Sequence, residues 1–172
     1  EMSHGLGPAY SRIGGKQGDI REASGPIYSG LEEAKADIVG LYGLDWLMNK
    51  GVLPKSNAGD YYASHVAGIF RTVRFGVAEA HARAEMMEFN YFVEQGAITP
   101  DAKSGRYAIH FAKMPAAIAS LAKELLEIEP TGNRARAESW LARYGPMPAD
   151  CTAALAKTGN VPGGAARCPR FR

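Results

Sequence analysis

Ser29-Gly30-Leu31-Glu32-Glu33-Ala34-Lys35-Ala36-Asp37-Ile38-Val39-Gly40-Leu41-Tyr42 decides the fold class of this chain. From Leu31 the apolar positions recur at Ala34, Ile38, Leu41 and Tyr42 and run on to Asp45-Trp46. A period near 3.6 predicts a helix with one buried face. Ser29, with Glu32 three residues on, reads as a capping box at its start. Lys50-Gly51, followed by Pro54, predicts its end, because a cation and a glycine suit the C-terminal turn.

Working outward, Asn57 or Asp60 opens a second helical stretch that reaches about Gln95. Gly68 and Gly76 are the places where it would bend or split, and Gly96 closes it. Residues 97–105 read as a loop. Arg106–Phe111 fits either a short strand or the lead into the next helix. Pro115 suits the first turn of a helix running to about Glu129. Pro130-Thr131-Gly132 is a turn, residues 133–144 an amphipathic helix stopped by Gly145-Pro146, and residues 149–157 a short helix. Upstream, residues 5–30 hold seven glycines and two prolines without a sustained period and predict a long loop. The expected fold is mainly α, with long loops and little sheet. One partial domain is expected over residues 1–160. Residues 161–172 mix Gly, Pro and Arg without a period and read as a disordered or non-native tail.

Composition narrows the function. The 172 residues are enough for one domain with a real core. Hydrophobic residues at 46% and charged residues at 22% exclude wholesale disorder. A net charge of +2 gives no footprint for nucleic acid, and no apolar run is long enough to span a membrane. Cys151 and Cys168 form no metal-binding spacing. The chain opens on Glu1 with no signal-peptide pattern and is expected to be a fragment.

The chemistry-bearing residues lie near the front. Glu1 and His4 share a face if a helix runs through them, and Glu33 and Asp37 share a face of the next helix. Glu1-Met2-Ser3-His4 matches the last four residues of H-E-x-x-H, whose first histidine would stand immediately before residue 1. In that motif two histidines one turn apart bind zinc and the glutamate serves as general base. A third ligand is needed, and Glu33 is the candidate. Asp37, one turn on, would accept a hydrogen bond from a ligand histidine. Taken alone, Glu1 and His4 read sooner as surface helix residues, and Glu32, Glu33 and Asp37 as a solvated helix start, where the dipole favours acids; both in this order on predicted helices favour the zinc reading.

These residues resemble the metal motifs of the dipeptidyl-peptidase III family of zinc metallopeptidases and its bacterial relatives. The second motif of that family reads close to E-E-C-R-A-E, similar to Glu32-Glu33-Ala34-Lys35-Ala36-Asp37 here. The resemblance implies that Glu33 is a zinc ligand and that Glu32 and Asp37 stand behind the ligands. Ala80-His81-Ala82-Arg83-Ala84 resembles the family segment whose histidine faces the substrate, which would give His81 a substrate or oxyanion contact. It also implies a helical catalytic lobe, a peptide substrate and a cytoplasmic setting. The chain departs from the best-known members in its shorter H-E-x-x-H, its shorter loop to Glu33, and Ala34 in place of the cysteine. Some relatives are joined to Nudix domains, but no Gly followed by a spaced R-E-x-x-E-E cluster occurs here.

The expected function is therefore part of a zinc-dependent peptidase. Glu1 acts as base, His4 and Glu33 as metal ligands, and His81 stabilises developing negative charge. With two of three protein ligands, the chain itself is expected to bind zinc weakly and to show little activity. Two alternatives stay open. A non-catalytic helical interaction module would be indifferent to chelators. A di-iron bundle would need a second Glu-x-x-His, which is absent. His65 reads as structural, and His110 as a packing histidine with a polar partner. Met86-Met87, Phe89 and Phe92 read as core, Tyr61-Tyr62 as core or interface, and Arg71, Arg74 and Arg83 as a solvated basic stripe.

Overall fold

The structure, a computed structural model, describes residues 2–7, 9–13, 16–101 and 103–157. Glu1, Cys168 and the tail expected over residues 161–172 lie outside the described residues. The architecture is mainly α with little sheet, as the sequence predicts.

A 3-10 turn, Met2–Gly5, leads into a small antiparallel hairpin, β1 (Tyr10–Ile13) and β2 (Lys16–Asp19), with Tyr10 opposite Asp19. Then come α1 (Ile20–Ser24), a 3-10 turn Gly25–Ile27, and the long helix α2 (Tyr28–Asn49). The segment expected as one loop thus carries its own short elements. The expected capping box is also absent. Ile27 sits at the N-cap with no side-chain cap, because the preceding 3-10 turn feeds directly into α2. Ser29 lies inside the helix, and the Glu32 carboxylate is engaged elsewhere.

The long stretch after Pro54 is two helices, α3 (Ala58–Val73) and α4 (Ala80–Glu94). Gly76, at φ 98°, makes the break, a conformation open to glycine and strained for other residues. Gly68 stays helical. Asp19 caps α1 and Glu79 caps α4, each accepting from a backbone N–H two or three residues on. Gly96 closes α4 at φ 64°. β3 (Ile98–Asp101) and β4 (Arg106–Ile109) form a second hairpin with Ile98 opposite Ile109, so the ambiguous segment is a strand. α5 (Met114–Thr131), α6 (Arg134–Tyr144) and α7 (Ala149–Ala156) complete the chain.

α2 is the axis. Leu31, Ala34, Ile38 and Leu41 turn inward and pack with α4 and α5. α3 adds a narrow stripe of Tyr62, Val66, Ile69 and Val73. α4 is enclosed on most sides, with Met86, Met87, Phe89 and Phe92 all at 1% exposure or less. Each such side chain contributes about 1.5–3 kcal/mol through burial, which holds the helices that carry the site. One expectation fails on α2. Tyr42 and Trp46 are 46% and 53% exposed, while Asp45 is buried and accepts a hydrogen bond from Tyr62. The apolar stripe therefore drifts off the buried face in the last turns.

Gly145 ends α6 where a Cβ would stand 2.6 Å from the Leu141 carbonyl oxygen. Gly145→Ala is expected to destabilise by about 1–3 kcal/mol through that overlap, read as a lower urea midpoint.

Candidate functional site

The site lies where three N-terminal segments meet. The Met2–Gly5 turn supplies His4, the first three turns of α2 supply Tyr28, Glu32, Glu33, Lys35 and Asp37, and the start of α4 supplies Glu79 and His81. The front turn is 3-10 and not the α-helix that the sequence reading assumed, yet His4 still faces α2. His4 Nε2 is 3.6 Å from Glu33 Oε2, and His4 Nδ1 is 3.0 Å from Glu32 Oε1. His81 Nε2 comes to 3.1 Å from the same Glu33 oxygen, and its Nδ1 to 2.9 Å from Glu79 Oε1. His4 and His81, 77 positions apart in the chain, are thereby gathered around the one Glu33 carboxylate.

The charges are arranged in layers. Burial alone would raise the Glu32 carboxyl, but Lys35 and His4 outweigh it and hold it below the usual range. Lys35 Nζ is 2.6 Å from Glu32 Oε1 and 3.5 Å from Glu129 Oε2 at the end of α5. Tyr28 donates to Glu32 Oε2 at 3.0 Å, and burial with that carboxylate pushes its phenol up to about 12. Glu79 beside it, with Glu33, raises the His81 imidazole, so the ring favours its protonated form more than a free histidine.

A second polar group lies deeper. Glu88 on α4 is fully buried and 3.0 Å from His65 Nε2 on α3. Asp37 adds its field to His65, His81, Glu85 and Glu88. His4, the ligand candidate within this chain, is held by Glu32 and not by Asp37. His65, expected as structural, is paired inside the fold. His110 Nε2 has its polar partner in Thr99 Oγ1 at 2.9 Å. Arg71 is on α3 and Arg83 on α4, where Arg83 donates to the Ala78 carbonyl, so the basic stripe is split between helices.

The His4–Glu33 pair passes a simple geometric test for a divalent ion. Two ligands at about 2.0–2.2 Å from a tetrahedral zinc stand about 3.4 Å apart. The 3.6 Å separation of Nε2 and Oε2 is close to that. Glu32 on Nδ1 leaves Nε2 as the free ring nitrogen, the usual arrangement behind a metal-bound histidine. Among the described residues no group of three or more His, Cys, Asp or Glu side chains is arranged to hold a metal ion.

Sequence reasoning missed four members of this site: Tyr28, Lys35, Glu79 and Glu129. Lys35 had a legible sign. It lies four residues after Leu31 and three before Ile38, on the buried face of α2. Glu79 had another, since an acid immediately before Ala80-His81 is placed to cap a helix.

No family model matches the chain. It is 40% identical over 145 residues to "Nudix hydrolase 3" of Arabidopsis thaliana, covering 84% of this chain and 19% of that protein. Its structure superimposes on that of dipeptidyl-peptidase III from Caldithrix abyssi with a TM-score of 0.90, at 33% identity, over 94% of this chain and 31% of that one. For dipeptidyl-peptidase III from Corallococcus sp. strain EGB the values are 0.89, 38%, 95% and 30%. The chain thus has the fold of part of dipeptidyl-peptidase III and spans under a third of these solved chains and about a fifth of the plant protein.

Proposed function

We propose that this chain is the metal-holding segment of a zinc-dependent, peptidase-like hydrolase that acts on short peptides. The observation that carries the reading is the approach of His4 Nε2 to Glu33 Oε2, with His4 Nδ1 held by Glu32. His4 and Glu33 would hold the ion, Glu32 would orient the ring, and Asp37 would stand behind the ligands. Zinc, when bound, supplies Lewis acidity toward a peptide carbonyl and toward water. Glu1 takes the proton of the attacking water and passes it to the leaving amine. His81, exposed at the rim and biased toward its charged form, donates to the carbonyl oxygen as negative charge develops there. The likeness to two dipeptidyl-peptidase III structures supports the peptidase reading over the alternatives. The plant relative carries the name of another hydrolase, but this chain holds no Gly with a spaced R-E-x-x-E-E cluster.

Zinc titration by calorimetry tests the reading. The chain alone is expected to bind weakly. A chain with one histidine added before Glu1 is expected to bind one zinc at least a hundredfold more tightly, and Glu33→Ala in that background to lose the gain. Equal zinc binding by all three forms would remove the assignment.

A further inference from the structure

Lys35 is 2% exposed, yet its ammonium meets four oxygens. Glu32 Oε1 lies at 2.6 Å, the Leu6 carbonyl at 2.9 Å, and Glu129 Oε2 and the His4 carbonyl each at 3.5 Å. These come from the His4 turn, from α2 itself and from the end of α5. Glu32 Oε1 is also the atom that His4 Nδ1 faces. One cation therefore holds both the main chain that carries His4 and the carboxylate that orients its ring. Glu129 is 4% exposed, and its Oε1 finds no hydrogen-bond donor among the described residues. Its other oxygen, Oε2, is directed at Lys35 Nζ. Gly7, at φ 99°, lies beside the pair, and a Cβ there would be in ordinary contact, 4.0 Å from both Lys35 Nζ and Glu129 Oε2.

A neutral imidazole carries one proton, and the acceptor it faces decides which nitrogen holds it. An ionised carboxylate only accepts, so Glu32 selects the Nδ1–H form of His4 and leaves the Nε2 lone pair toward Glu33. We propose that Lys35, backed by Glu129, is the positioning residue of this site, fixing the His4 turn and Glu32 so that His4 presents Nε2 to Glu33. Without the ammonium, Glu32 Oε1 and the carbonyls of His4 and Leu6 lose their common donor. The turn then loosens, and the ring populates both tautomers. The clamp belongs to the metal-free chain; only its consequence for metal affinity rests on the proposed function.

The test uses the full chain with ¹⁵N-labelled imidazoles and no metal, at a pH where His4 is neutral. The wild type is expected to show His4 as Nδ1–H. Lys35→Met is expected to show a tautomer mixture, with amide exchange at residues 4–7 raised more than tenfold while α4 is unchanged. Its apparent zinc affinity is expected to fall at least tenfold. Where Lys35→Met does not fold, Glu129→Gln is the second variant, expected to speed exchange at residues 4–7 severalfold and leave α4 alone. A folded Lys35→Met with an unmoved tautomer and unmoved exchange overturns the proposal, as does a uniform rise in Glu129→Gln. If the tautomer result holds but the wild type binds no zinc, the hydrolase reading falls and the clamp stands. If zinc binds both forms equally and the tautomer does not move, the clamp falls and the hydrolase reading stands.

Discussion

The urea midpoint of this chain is expected to fall as the pH is raised from about 5 to about 8, and Glu88→Gln to remove much of that dependence. Glu88 is wholly enclosed on α4, and burial drives its carboxyl up to about 7. His65 pulls the other way, and Asp37 and Glu85 add to the rise. In the unfolded chain the same group titrates at about 4.3. The folded state therefore binds the proton more tightly. Its contribution is fully present below the unfolded value and is lost as the pH climbs through the folded one. His65 acts with the same sign. Burial alone would lower it, but Glu88, Asp37 and Glu85 raise it above the ordinary histidine value. Glu129, raised by burial to about 7 against the pull of Lys35, adds to the trend. Glu32 is held low and is ionised in both states across this window, so it does not oppose the trend. The combined loss is on the order of a few kcal/mol. His65→Leu sharpens the effect, because at the upper pH it leaves an uncompensated buried carboxylate, at about 3–5 kcal/mol, and at the lower pH a neutral one. A midpoint that stays level or rises with pH would remove this account of the interior pair.

The same pair shows what was legible in the sequence. Glu88 lies in Met86-Met87-Glu88-Phe89, where every side chain is buried, and it shares a helix face with His81 and Glu85. Helical periodicity marked the apolar neighbours as core, but that polar face reads equally well as solvated, so the burial of the acid was hidden. His65 was read as structural, but its partner lies 23 residues away on another helix, and no local pattern encodes that pairing. Helix ends were legible where one residue sets the backbone, as at Gly76 and Gly96. They were misread where side-chain chemistry had to choose between partners. Ser29 and Glu32 have the spacing of a capping box, but His4, Lys35 and Tyr28 all compete for the Glu32 carboxylate. That competition exists only once the front turn has folded onto α2.

The candidate site was legible as residue types and obscure as geometry. His4, Glu32, Glu33 and His81 lie together, and Asp37 reaches His81 through its field. The front turn, Met2–Gly5, is 3-10 and not the assumed α-helix, and its His4 still faces Glu32 and Glu33 of α2. Lys35 was hidden by its company. It stands among the acids Glu32, Glu33 and Asp37, although its register places it beside Leu31 and Ile38. Buried charge on an apolar register, at Lys35 and Glu129 alike, was the signal that a purely hydrophobic reading discards.

Phe89→Ala is expected to cost about 3–5 kcal/mol, roughly 10 °C in melting temperature, and to leave the His4 tautomer unmoved. Phe89 is 1% exposed. Its ring meets Phe70 of α3 at 5.4 Å and Tyr107 of β4 at 5.1 Å, both edge-on, and Phe70 and Tyr107 lie 5.4 Å from each other. Three elements are joined through one side chain, so truncation opens a cavity that no single neighbour can fill. Edge-on aromatic pairs add about 0.5–1.5 kcal/mol beyond the area they bury. His81 lies two helical turns earlier on α4, and His4 reaches the site from the Met2–Gly5 turn. The damage is therefore global: the folded fraction falls, and whatever remains folded keeps its site. Lys35→Met should do the reverse, disturbing His4 before it disturbs the core. Urea titration and the His4 ¹⁵N signals, measured on both variants, separate the two effects. A Phe89→Ala loss below about 1 kcal/mol would show that the aromatic cluster does not hold α3, α4 and the second hairpin together.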